Sequence, residues 1–288
     1  MSNFDNSMRA NVLAHALPYI QQYYNKIIVI KYGGHAMVDE RIKKQVMKDI
    51  ALLQLVGIKV VFVHGGGPEI SEMTQRLGIE SSFVNGLRVT DKATAEVAQM
   101  VLGGKINKGL VNLLESLGAK AVGICGIDGN LIKAQKISDE LGFVGEITNI
   151  NEQLIVDLLE KNYIPVIATL GSDDESNTYN INADTAAAKL AEKLGAEVLI
   201  SMTDTRGLLL DKNDPDSLIS VVTPKEIERL IADGVISDGM IPKVQCCVGA
   251  INNGVKKVFI IDGTVDHSIL IEILTSEGLG TMFVKEKE

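Results

Sequence analysis

Residues 59–70 read KVVFVHGGGPEI, and this stretch decides the fold class. A β-branched apolar run leads into His64, three glycines and then Pro68, a residue favoured at the first position of a helix. Apolar runs without polar alternation are typical of strands buried on both faces of a parallel sheet. Five further runs share this character: KIIVIK (26–31), KAVGIC (120–125), IPVIAT (164–169), AEVLISM (196–202) and KKVFII (256–261). The sequence therefore predicts a mostly parallel central sheet.

Helix-length segments separate most of these runs. Residues 223–234, TPKEIERLIADG, show the expected helix signals, because Thr223 can cap the helix, Glu226 can complete a capping box and Gly234 can end it. Strands that alternate with helices predict a layered α/β fold.

Two segments depart from this alternation and predict β-hairpins. Residues 129–150 have the pattern of two short strands around a turn. Residues 207–222 have the pattern of a second pair, joined by an Asn-Asp-Pro turn. We expect both hairpins to be insertions into the α/β framework.

The expected organisation has three parts. Residues 1–25 carry an apolar stripe at helical spacing, and Pro18 should kink or break that helix. Loop-like residues at 171–180 then mark a boundary between an N-terminal lobe, residues 26–172, and a C-terminal lobe, residues 173–288. The stripe packs either on its own subunit or against another subunit, and the residues alone favour neither. Its members are Leu13, Ala16, Leu17, Ile20 and Tyr24.

The composition excludes several classes of function. The 288 residues are 46% hydrophobic and 23% charged, as in ordinary globular domains, and the net charge of -9 argues against a nucleic-acid or acidic-membrane partner. Three cysteines without metal-binding spacing suit a reducing compartment. No long apolar segment precedes Lys26, so we expect neither a signal peptide nor a membrane span, and a cytoplasmic location.

Two glycine clusters follow predicted strands, Gly33-Gly34 and Gly65-Gly66-Gly67. Ligands of open parallel sheets bind beyond the carboxyl ends of the strands, where helix N-termini offer free N–H groups to anions. Tight turns also use glycine for steric reasons, so the clusters alone only suggest a phosphate site. Two common nucleotide motifs are missing, because Ile106 stands where a Walker A loop needs Ser or Thr and Ile70 where a dinucleotide fingerprint needs glycine.

Charged residues near these glycines are the other candidates. Lys31 ends a buried strand just before Gly33, where a phosphate would lie, whereas most lysines are simply solvated. Asp184 falls in the first turn of a predicted helix, which favours a carboxylate whatever its role. Arg88 follows an Asn-Gly turn and is either an exposed hairpin charge or a bidentate carboxylate clamp. Lys243 taken by itself is a weak signal.

Seven segments together resemble the amino acid kinase family: KYGGHAM (31–37), VFVHGGGPEI (61–70), NGLRVTD (85–91), GICGIDGNLI (123–132), YNINADTAAAKLA (179–191), SDGMIPKV (237–244) and LTSEGLGTM (274–282). The resemblance implies a three-layer α/β/α sandwich. It also implies that the N-terminal lobe binds an acyl amino acid and forms a dimer, and that the C-terminal lobe binds ATP. The implied reaction transfers the γ-phosphoryl group of ATP, with Mg2+, to the side-chain carboxylate of N-acetyl-L-glutamate, a step of arginine biosynthesis.

The resemblance also assigns roles to the candidate residues. It implies that Lys31 and Lys243 stabilise the transferred phosphoryl group and that Asp184 holds both lysines. The acetylglutamate contacts implied are Gly66, Gly67, Arg88, on the α-carboxylate, and Asn180. The phosphate contacts implied are the backbone N–H groups of Gly33, Gly34 and Gly65. No protein side chain is expected to bind a metal, since magnesium would be held by phosphates and water.

Regulation forms a further implication. The kinked N-terminal helix and residues 266–283 resemble the arginine-inhibited members of the family, which are hexamers built as trimers of dimers whose N-terminal helices interlace. His267, Glu277 and Gly280 are the implied contacts of the effector L-arginine.

Three other interpretations remain open. Aspartokinase, carbamate kinase and uridylate kinase share the glycine and lysine framework, and a kinase for carrier-linked aminoadipate or glutamate is the nearest rival. Arg88 and Asn180 distinguish between these kinases, because both belong to the site of the acceptor and not to that of ATP. A ligand sensor without catalysis would not need Lys31, Asp184 and Lys243 together. A nicotinamide oxidoreductase lacks its third glycine.

Overall fold

The computed structural model describes residues 6–37, 39–84, 86–237 and 239–286. Its centre is an eight-stranded sheet, and all six apolar runs of the sequence form strands in it, as predicted. In spatial order the strands are β12 (Val221–Val222), β14 (Thr281–Phe283), β13 (Lys257–Asp262), β11 (Val198–Thr203), β1 (Ile27–Tyr32), β2 (Lys59–His64), β8 (Ile164–Ala168) and β5 (Ala121–Cys125). The six long strands run parallel, and β14 pairs antiparallel with β13.

Both faces of this sheet are buried, which explains the continuous apolar character of its strands. Ile28 and Ile30 belong to one hydrophobic core and Val29, between them, to the other, and none of the three is exposed. The period of two along a strand sends neighbouring side chains to opposite faces. A one-residue slip in register would exchange the two cores.

Two layers of helices cover the sheet and complete a three-layer α/β/α sandwich, as the resemblance implied. One core receives α3 (Glu40–Leu55), α5 (Lys92–Gln99), α6 (Asn107–Ser116) and α11 (Ser268–Leu274), and the other α7 (Gln153–Glu160), α8 (Ala183–Lys193), α9 (Pro224–Ala232) and α10 (Met240–Asn252). A π-helix, Met100–Ile106, joins α5 to α6, and α4 (Gly67–Arg76) follows β2. The capping box predicted for α9 is present between Thr223 and Glu226.

A second, smaller sheet contains the first predicted hairpin. Its order is β10 (Thr178–Asn180), β9 (Leu170–Ser172), β6 (Ile132–Lys136) and β7 (Gly145–Ile150). β6 and β7 pair antiparallel, which confirms the hairpin predicted at residues 129–150. The loop-like residues 171–180 form another hairpin, β9 and β10. A short third pair, β3 (Phe83–Val84) and β4 (Leu87–Arg88), carries Arg88.

The second predicted hairpin, residues 207–222, is confirmed only in part. The chain turns back antiparallel, with the N–H of Leu210 donating to Ser217 O at 3.0 Å and that of Ile219 to Leu208 O at 2.8 Å, but two regular strands do not form. Only one antiparallel bridge forms there, between Leu209 and Leu218. The apolar end of the segment, β12, instead pairs in parallel with β14 at the edge of the central sheet. The central sheet offers Val222 a buried position that an isolated hairpin could not provide.

Pro18 divides the N-terminal helix in two, as predicted. α1 (Asn6–His15) ends before Ala16, and α2 (Leu17–Tyr23) holds Pro18 in its first turn. Tyr23 is buried and Ile20 packs against the core, whereas Leu13 and Leu17 are 76% and 54% exposed. The apolar stripe therefore contacts its own subunit along only part of its length. None of the helices described is long and apolar enough to span a membrane.

Candidate active site

The carboxyl ends of adjacent strands bring the predicted site residues together. Lys31 on β1 lies in register with Val63 on β2 and with Ser201 on β11. Because these strands are parallel, the loops that follow them meet at one edge of the sheet. The glycine-rich loops and the N-terminus of α8 are found at this edge.

Asp184 joins the two predicted lysines. Its Oδ1 lies 3.1 Å from Lys31 Nζ, and its Oδ2 lies 2.7 Å from Lys243 Nζ. Ser201 donates a third hydrogen bond to Oδ1, at 3.0 Å. Lys31 comes from β1, Asp184 from the first turn of α8 and Lys243 from the first turns of α10, so three separate elements build this triad.

Burial and charge act against each other within the triad. Burial lowers the pKa of the Lys31 ammonium, and Lys243 adds to this effect, while Asp184 opposes it. Burial by itself would raise the pKa of the Asp184 carboxyl, but the two ammonium groups outweigh it and hold that pKa far below its usual range. Asp184 is therefore ionised, and with both lysines protonated the three groups together carry one net positive charge.

Gly33 and Gly34 lie directly beside the triad. A side chain at Gly33 would meet Lys31, since a Cβ there would lie 3.4 Å from Lys31 Nζ. Gly34 has φ +71°, a conformation that favours glycine. The glycines thus leave the space above the lysine open.

The three glycines after β2 are not equivalent. The N–H of Gly65 donates to Tyr32 O at 3.1 Å and so extends the pairing of β1 with β2. The N–H groups of Gly66 and Gly67, at the start of α4, have no acceptor within the part of the chain that the structure describes. Two of the three donors are thus available to an anion, and the Gly65 donor predicted for a phosphate is already engaged.

Gly66 lies against apolar side chains on its other side. A Cβ at Gly66 would lie 2.2 Å from Ile106 Cδ1 and 2.8 Å from Leu102 Cδ2, closer than such contacts can be. Only glycine brings the backbone so near to the π-helix.

A cavity of about 190 Å³ opens beside these free N–H groups. Its walls come from the glycine loop, the β3–β4 hairpin, the small sheet and the N-terminus of α8. The lining residues are Gly65, Gly66, Gly67, Ile70, Phe83, Gly86, Leu87, Arg88, Leu102, Val144, Thr169, Asn180, Ile181, Asn182 and Ala183. The cavity therefore contains all four residues predicted to contact the acceptor.

Arg88 is a buried cation in the wall of this cavity, not an exposed hairpin charge. Its Nη1 donates to Ser81 Oγ at 3.0 Å, and its Nη2 donates to Gly67 O at 2.9 Å and Ser71 Oγ at 2.6 Å. Its guanidinium also lies 4.7 Å from the centre of the Phe83 ring. A guanidinium has five N–H donors, so these three bonds hold it in place, and two donors, one on Nε and one on Nη1, have no partner among the described residues.

Two asparagines of the segment YNINAD have different tasks. Asn182 caps α8, because its Oδ1 accepts from the N–H groups of Asp184 and Thr185 at 3.0 Å each. The side chain of Asn180 lines the cavity and makes no hydrogen bond to the described residues. Its amide is therefore free to bind a ligand.

Sequence reasoning missed Ser201. Ser201 is a buried polar residue in the run AEVLISM, and it lies in register with Lys31. A hydroxyl within an apolar strand was the available signal, since buried polar groups need partners.

The three candidates for arginine binding lie around α11. His267 precedes this helix, and its Nδ1 lies 2.6 Å from Oδ1 of the buried Asp49. Glu277 follows the helix in an exposed loop. A Cβ at Gly280 would lie 2.0 Å from Ile260 O, so close packing on β13 is one reason for this glycine. None of the hydrogen bonds or ion pairs of the described residues joins the three to one another.

The described residues contain no cluster of three or more His, Cys, Asp or Glu side chains arranged for a metal ion. The one carboxylate at the triad, Asp184, already has three partners. The described side chains of this site therefore do not form a ligand set of their own for a divalent cation.

Comparison with known proteins agrees with this architecture. The sequence profile of the amino acid kinase family matches residues 26–262. The chain is 56% identical to the acetylglutamate kinase of Brachyspira hyodysenteriae, over 99% of this chain and all of that protein. It is 52% identical to the acetylglutamate kinase of Thermoanaerobacter pseudethanolicus, over 98% of this chain and 95% of that protein.

A solved structure shows the same fold. The N-acetylglutamate synthase of Neisseria gonorrhoeae, complexed with coenzyme A and N-acetyl-glutamate, superposes with a TM-score of 0.85 at 26% identity. The match covers 97% of this chain and 64% of that one. With the family profile matching most of its length and relatives above 50% identity over nearly all of it, this chain is a kinase and belongs to the amino acid kinase family.

Proposed function

We propose that the protein transfers the γ-phosphoryl group of ATP to the side-chain carboxylate of N-acetyl-L-glutamate, in arginine biosynthesis. The observation that carries the proposal is the cavity beside the Lys31–Asp184–Lys243 triad, where Arg88 and two free backbone N–H groups face one space. The names of relatives that are 56% and 52% identical over nearly the whole chain support the same reaction.

The acceptor carries two carboxylates, and the cavity offers different groups to each. We assign the α-carboxylate to Arg88, through a donor that its bonds to the protein leave over, and the acyl amide to the free side chain of Asn180. The N–H groups of Gly66 and Gly67 are assigned to the reacting end of the acceptor, nearest the triad. The fixed geometry of Arg88 reduces the ordering that binding would otherwise require.

The reaction needs no general base. A side-chain carboxylate has a pKa near 4.3 and is already ionised at neutral pH. One of its oxygens attacks the γ-phosphorus, the bond from that phosphorus to the β,γ-bridging oxygen breaks, and an acyl phosphate and ADP form. His64 does not act as a general acid, because complete burial lowers the pKa of its imidazole to about 4 and keeps the ring neutral.

The barrier to this reaction is the repulsion between two anions. The triad contributes one net positive charge, and Asp184 holds both ammonium groups in place before the substrates arrive. Preorganised charge of this kind stabilises the transition state without reorganisation. We assign the phosphates of ATP, with Mg2+ held by phosphate and water oxygens, to Gly33, Gly34 and the lysines, and the nucleotide to the C-terminal lobe, residues 173–288.

The test is an assay for an ATP-dependent acyl phosphate, trapped with hydroxylamine, with N-acetyl-L-glutamate as acceptor. Glutamate, aspartate, aminoadipate and carbamate are the comparison acceptors. We expect turnover with N-acetyl-L-glutamate to exceed the others. Preference for another acceptor, or no turnover with any, would disprove the assignment.

We also propose that L-arginine inhibits the protein, that the protein assembles as a hexamer and that it is located in the cytoplasm. The exposed part of the N-terminal apolar stripe supports a contact between dimers, and the N-terminal lobe, residues 26–172, is the proposed dimerisation unit. For the effector we propose His267, Glu277 and Gly280, around α11. The assay above, repeated with L-arginine, tests this regulation: unchanged rates at millimolar L-arginine would contradict it.

A further inference from the structure

Behind the glycine loop lies a buried polar network that the reaction described above does not use. His64, the last residue of β2, is completely buried, and so is Asn107, the first residue of α6. Asn107 Nδ2 lies 3.1 Å from His64 Nε2. On the other side of the ring, His64 Nδ1 lies 2.9 Å from the carbonyl oxygen of Gly65.

The surroundings of Asn107 fix which atom faces His64. The amide Nδ2 donates to Val166 O at 2.9 Å and lies 3.3 Å from Ile124 O, while Oδ1 accepts from Lys108 Nζ at 3.1 Å. Two carbonyls and an ammonium group allow only this orientation of the amide. Nδ2 is a donor, so His64 Nε2 must accept.

The tautomer of His64 follows directly. A neutral imidazole carries one proton, and if Nε2 accepts, that proton is on Nδ1. Nδ1–H then donates to Gly65 O. The neutral form is the stable one, because burial holds the pKa of this ring at about 4.

This hydrogen bond sets the direction of the next N–H group. The peptide between Gly65 and Gly66 is planar and trans, so its C=O and N–H point in opposite directions. Fixing Gly65 O therefore fixes Gly66 N–H, one of the two free donors at the cavity. The other carbonyls of the loop are fixed as well, Gly66 O by Ile70 N–H at 2.9 Å and Gly67 O by Arg88.

A glycine in β5 makes room for this network. A Cβ at Gly123 would lie 2.0 Å from Asn107 Oδ1 and 2.9 Å from Lys108 Nζ. Glycine weakens a strand, but it is needed at position 123 because any side chain there would displace the Asn107 amide.

We propose that His64 is a positioning residue, oriented by Asn107, that aims the Gly66 N–H at the anionic group bound in the cavity. The inference rests on the proposed function for the identity of that anion, but not for the geometry of the loop. Without the Nδ1–H donor the peptide can rotate, and the Gly66 N–H loses its alignment at the moment when charge develops on the substrate.

Two substitutions test the two ring nitrogens of His64 one at a time. The amide of His64→Asn can place a donor near the position of Nδ1 and keep the bond to Gly65 O, whereas the longer His64→Gln places its amide near the position of Nε2 and keeps the contact with Asn107. We expect His64→Asn to stay within about threefold of wild-type kcat. We expect His64→Gln to lose about 10- to 100-fold in kcat, part of the loss seen when an oxyanion donor is removed, with a smaller change in KM for ATP.

The second readout does not depend on turnover. In the free protein labelled with 15N-glycine, the Gly66 amide resonance should move in His64→Gln and stay near its wild-type position in His64→Asn, with Gly234 as a distant reference. Lys108→Met, at an exposed position, loosens Asn107 without changing His64 and should move the same resonance in the direction of His64→Gln.

Equal loss of kcat in both His64 variants, or a better enzyme with Gln than with Asn, would overturn the proposal. So would an unchanged Gly66 resonance in His64→Gln and Lys108→Met. If the wild-type protein phosphorylates none of the acceptors, the proposed function fails, but the resonance experiment still decides whether His64 orients the loop. Should either His64 variant fail to fold, Lys108→Met carries the test.

Discussion

At the scale of single residues, the site depends on one carboxylate that serves two cations. Asp184 contacts Lys31 and Lys243 through different oxygens, so neither lysine has to compete with the other for its partner. A buried ion pair is weak evidence for stability, because desolvation offsets most of the attraction. The triad is better explained by the need to hold two ammonium groups close together before an anionic substrate binds.

Removing one of these ammonium groups should slow the chemical step. Lys31→Met and Lys243→Met each keep most of the side-chain volume but delete the charge. We expect each to lower kcat by roughly 100-fold, about 3 kcal/mol in the barrier, with less than a tenfold change in KM for N-acetyl-L-glutamate.

The matched control is Lys189→Met on α8, whose side chain is 45% exposed and whose ammonium pairs, among the described residues, with Glu192 alone. Its kcat should stay within about twofold of wild type. Equal kcat for Lys31→Met and the control would show that Lys31 does not act on the phosphoryl group.

Burial of His64 makes stability depend on pH. The pKa of His64 is about 4 in the folded protein, below the ordinary histidine value of 6.5, so between these values the unfolded chain binds a proton that the folded protein does not. The stability that neutral His64 contributes is present above pH 6.5 and is lost as the pH falls towards 4. From pH 7 to pH 5.5 the loss should be about 1 kcal/mol.

The measurement is the free energy of urea unfolding of the wild type minus that of His64→Asn, at both pH values. Asp49 has the opposite effect on stability, because burial raises the pKa of its carboxyl to about 6 and the stability that it contributes is lost as the pH rises. Subtracting the variant from the wild type removes this effect, since both contain Asp49. A difference that does not change between pH 7 and pH 5.5 would contradict a neutral His64.

At the scale of elements, the sequence predicted what local patterns control. The six apolar runs became strands, the capping box of α9 formed, and Pro18 separated α1 from α2. At residues 207–222 the turn formed but the second strand did not pair as predicted, because its apolar end, β12, pairs with β14, which follows it by about 60 residues. Pairing between distant segments leaves no local signal in the turn residues.

In the candidate site, too, some features follow from local sequence patterns and others do not. The glycines, Lys31 and Arg88 could be selected from strand ends and turns, whereas the bond from Gly65 N–H to Tyr32 O and the Asn107 network could not. Asn107 follows a π-helix, whose wider turn rotates the residues after it relative to an α-helix. Sequence periodicity does not reveal such a shift.

The close contact between β5 and α6 gives a prediction for these elements. Gly123→Ala places a methyl group against Asn107 Oδ1, and overpacking of this kind should cost about 1–3 kcal/mol in the free energy of unfolding. It should also disturb the Gly66 resonance, since the network reaches that peptide.

Gly109→Ala is the matched control, because Gly109 lies within α6 and a Cβ there meets nothing within 4 Å. Alanine is the better helix former, so this variant should be neutral or more stable by up to about 1 kcal/mol. Chemical denaturation of both variants decides: equal destabilisation would rule out the specific contact at Gly123.

At the scale of the whole molecule, one continuous sheet crosses both proposed lobes. β1 from the N-terminal lobe lies between β2 and β11, and β11 belongs to the C-terminal lobe. The triad is built across this junction, with Lys31 on one side and Asp184 and Lys243 on the other. Any relative movement of the lobes would therefore act directly on the distance between the two ammonium groups.

The N-terminal helix pair carries apolar side chains that its own subunit does not cover. Val12, Leu13 and Leu17 are 63%, 76% and 54% exposed, although α2 is anchored through the buried Tyr23. Exposed apolar residues at helical spacing are typical of a contact between subunits. If this helix joins dimers, Leu13→Glu with Leu17→Glu should dissociate the assembly to dimers, because a charge at a buried apolar contact is costly.

Light scattering after size-exclusion chromatography measures the mass directly. Leu210→Glu, at an equally exposed leucine on a loop of the C-terminal lobe, is the control and should keep the wild-type mass. Since the substituted residues lie outside the site, the dimeric variant should retain kcat within a few-fold, and any inhibition by L-arginine should weaken if the effector site depends on the helix. If the double variant keeps the wild-type mass, the apolar stripe does not join dimers, and the proposed assembly through this helix is wrong.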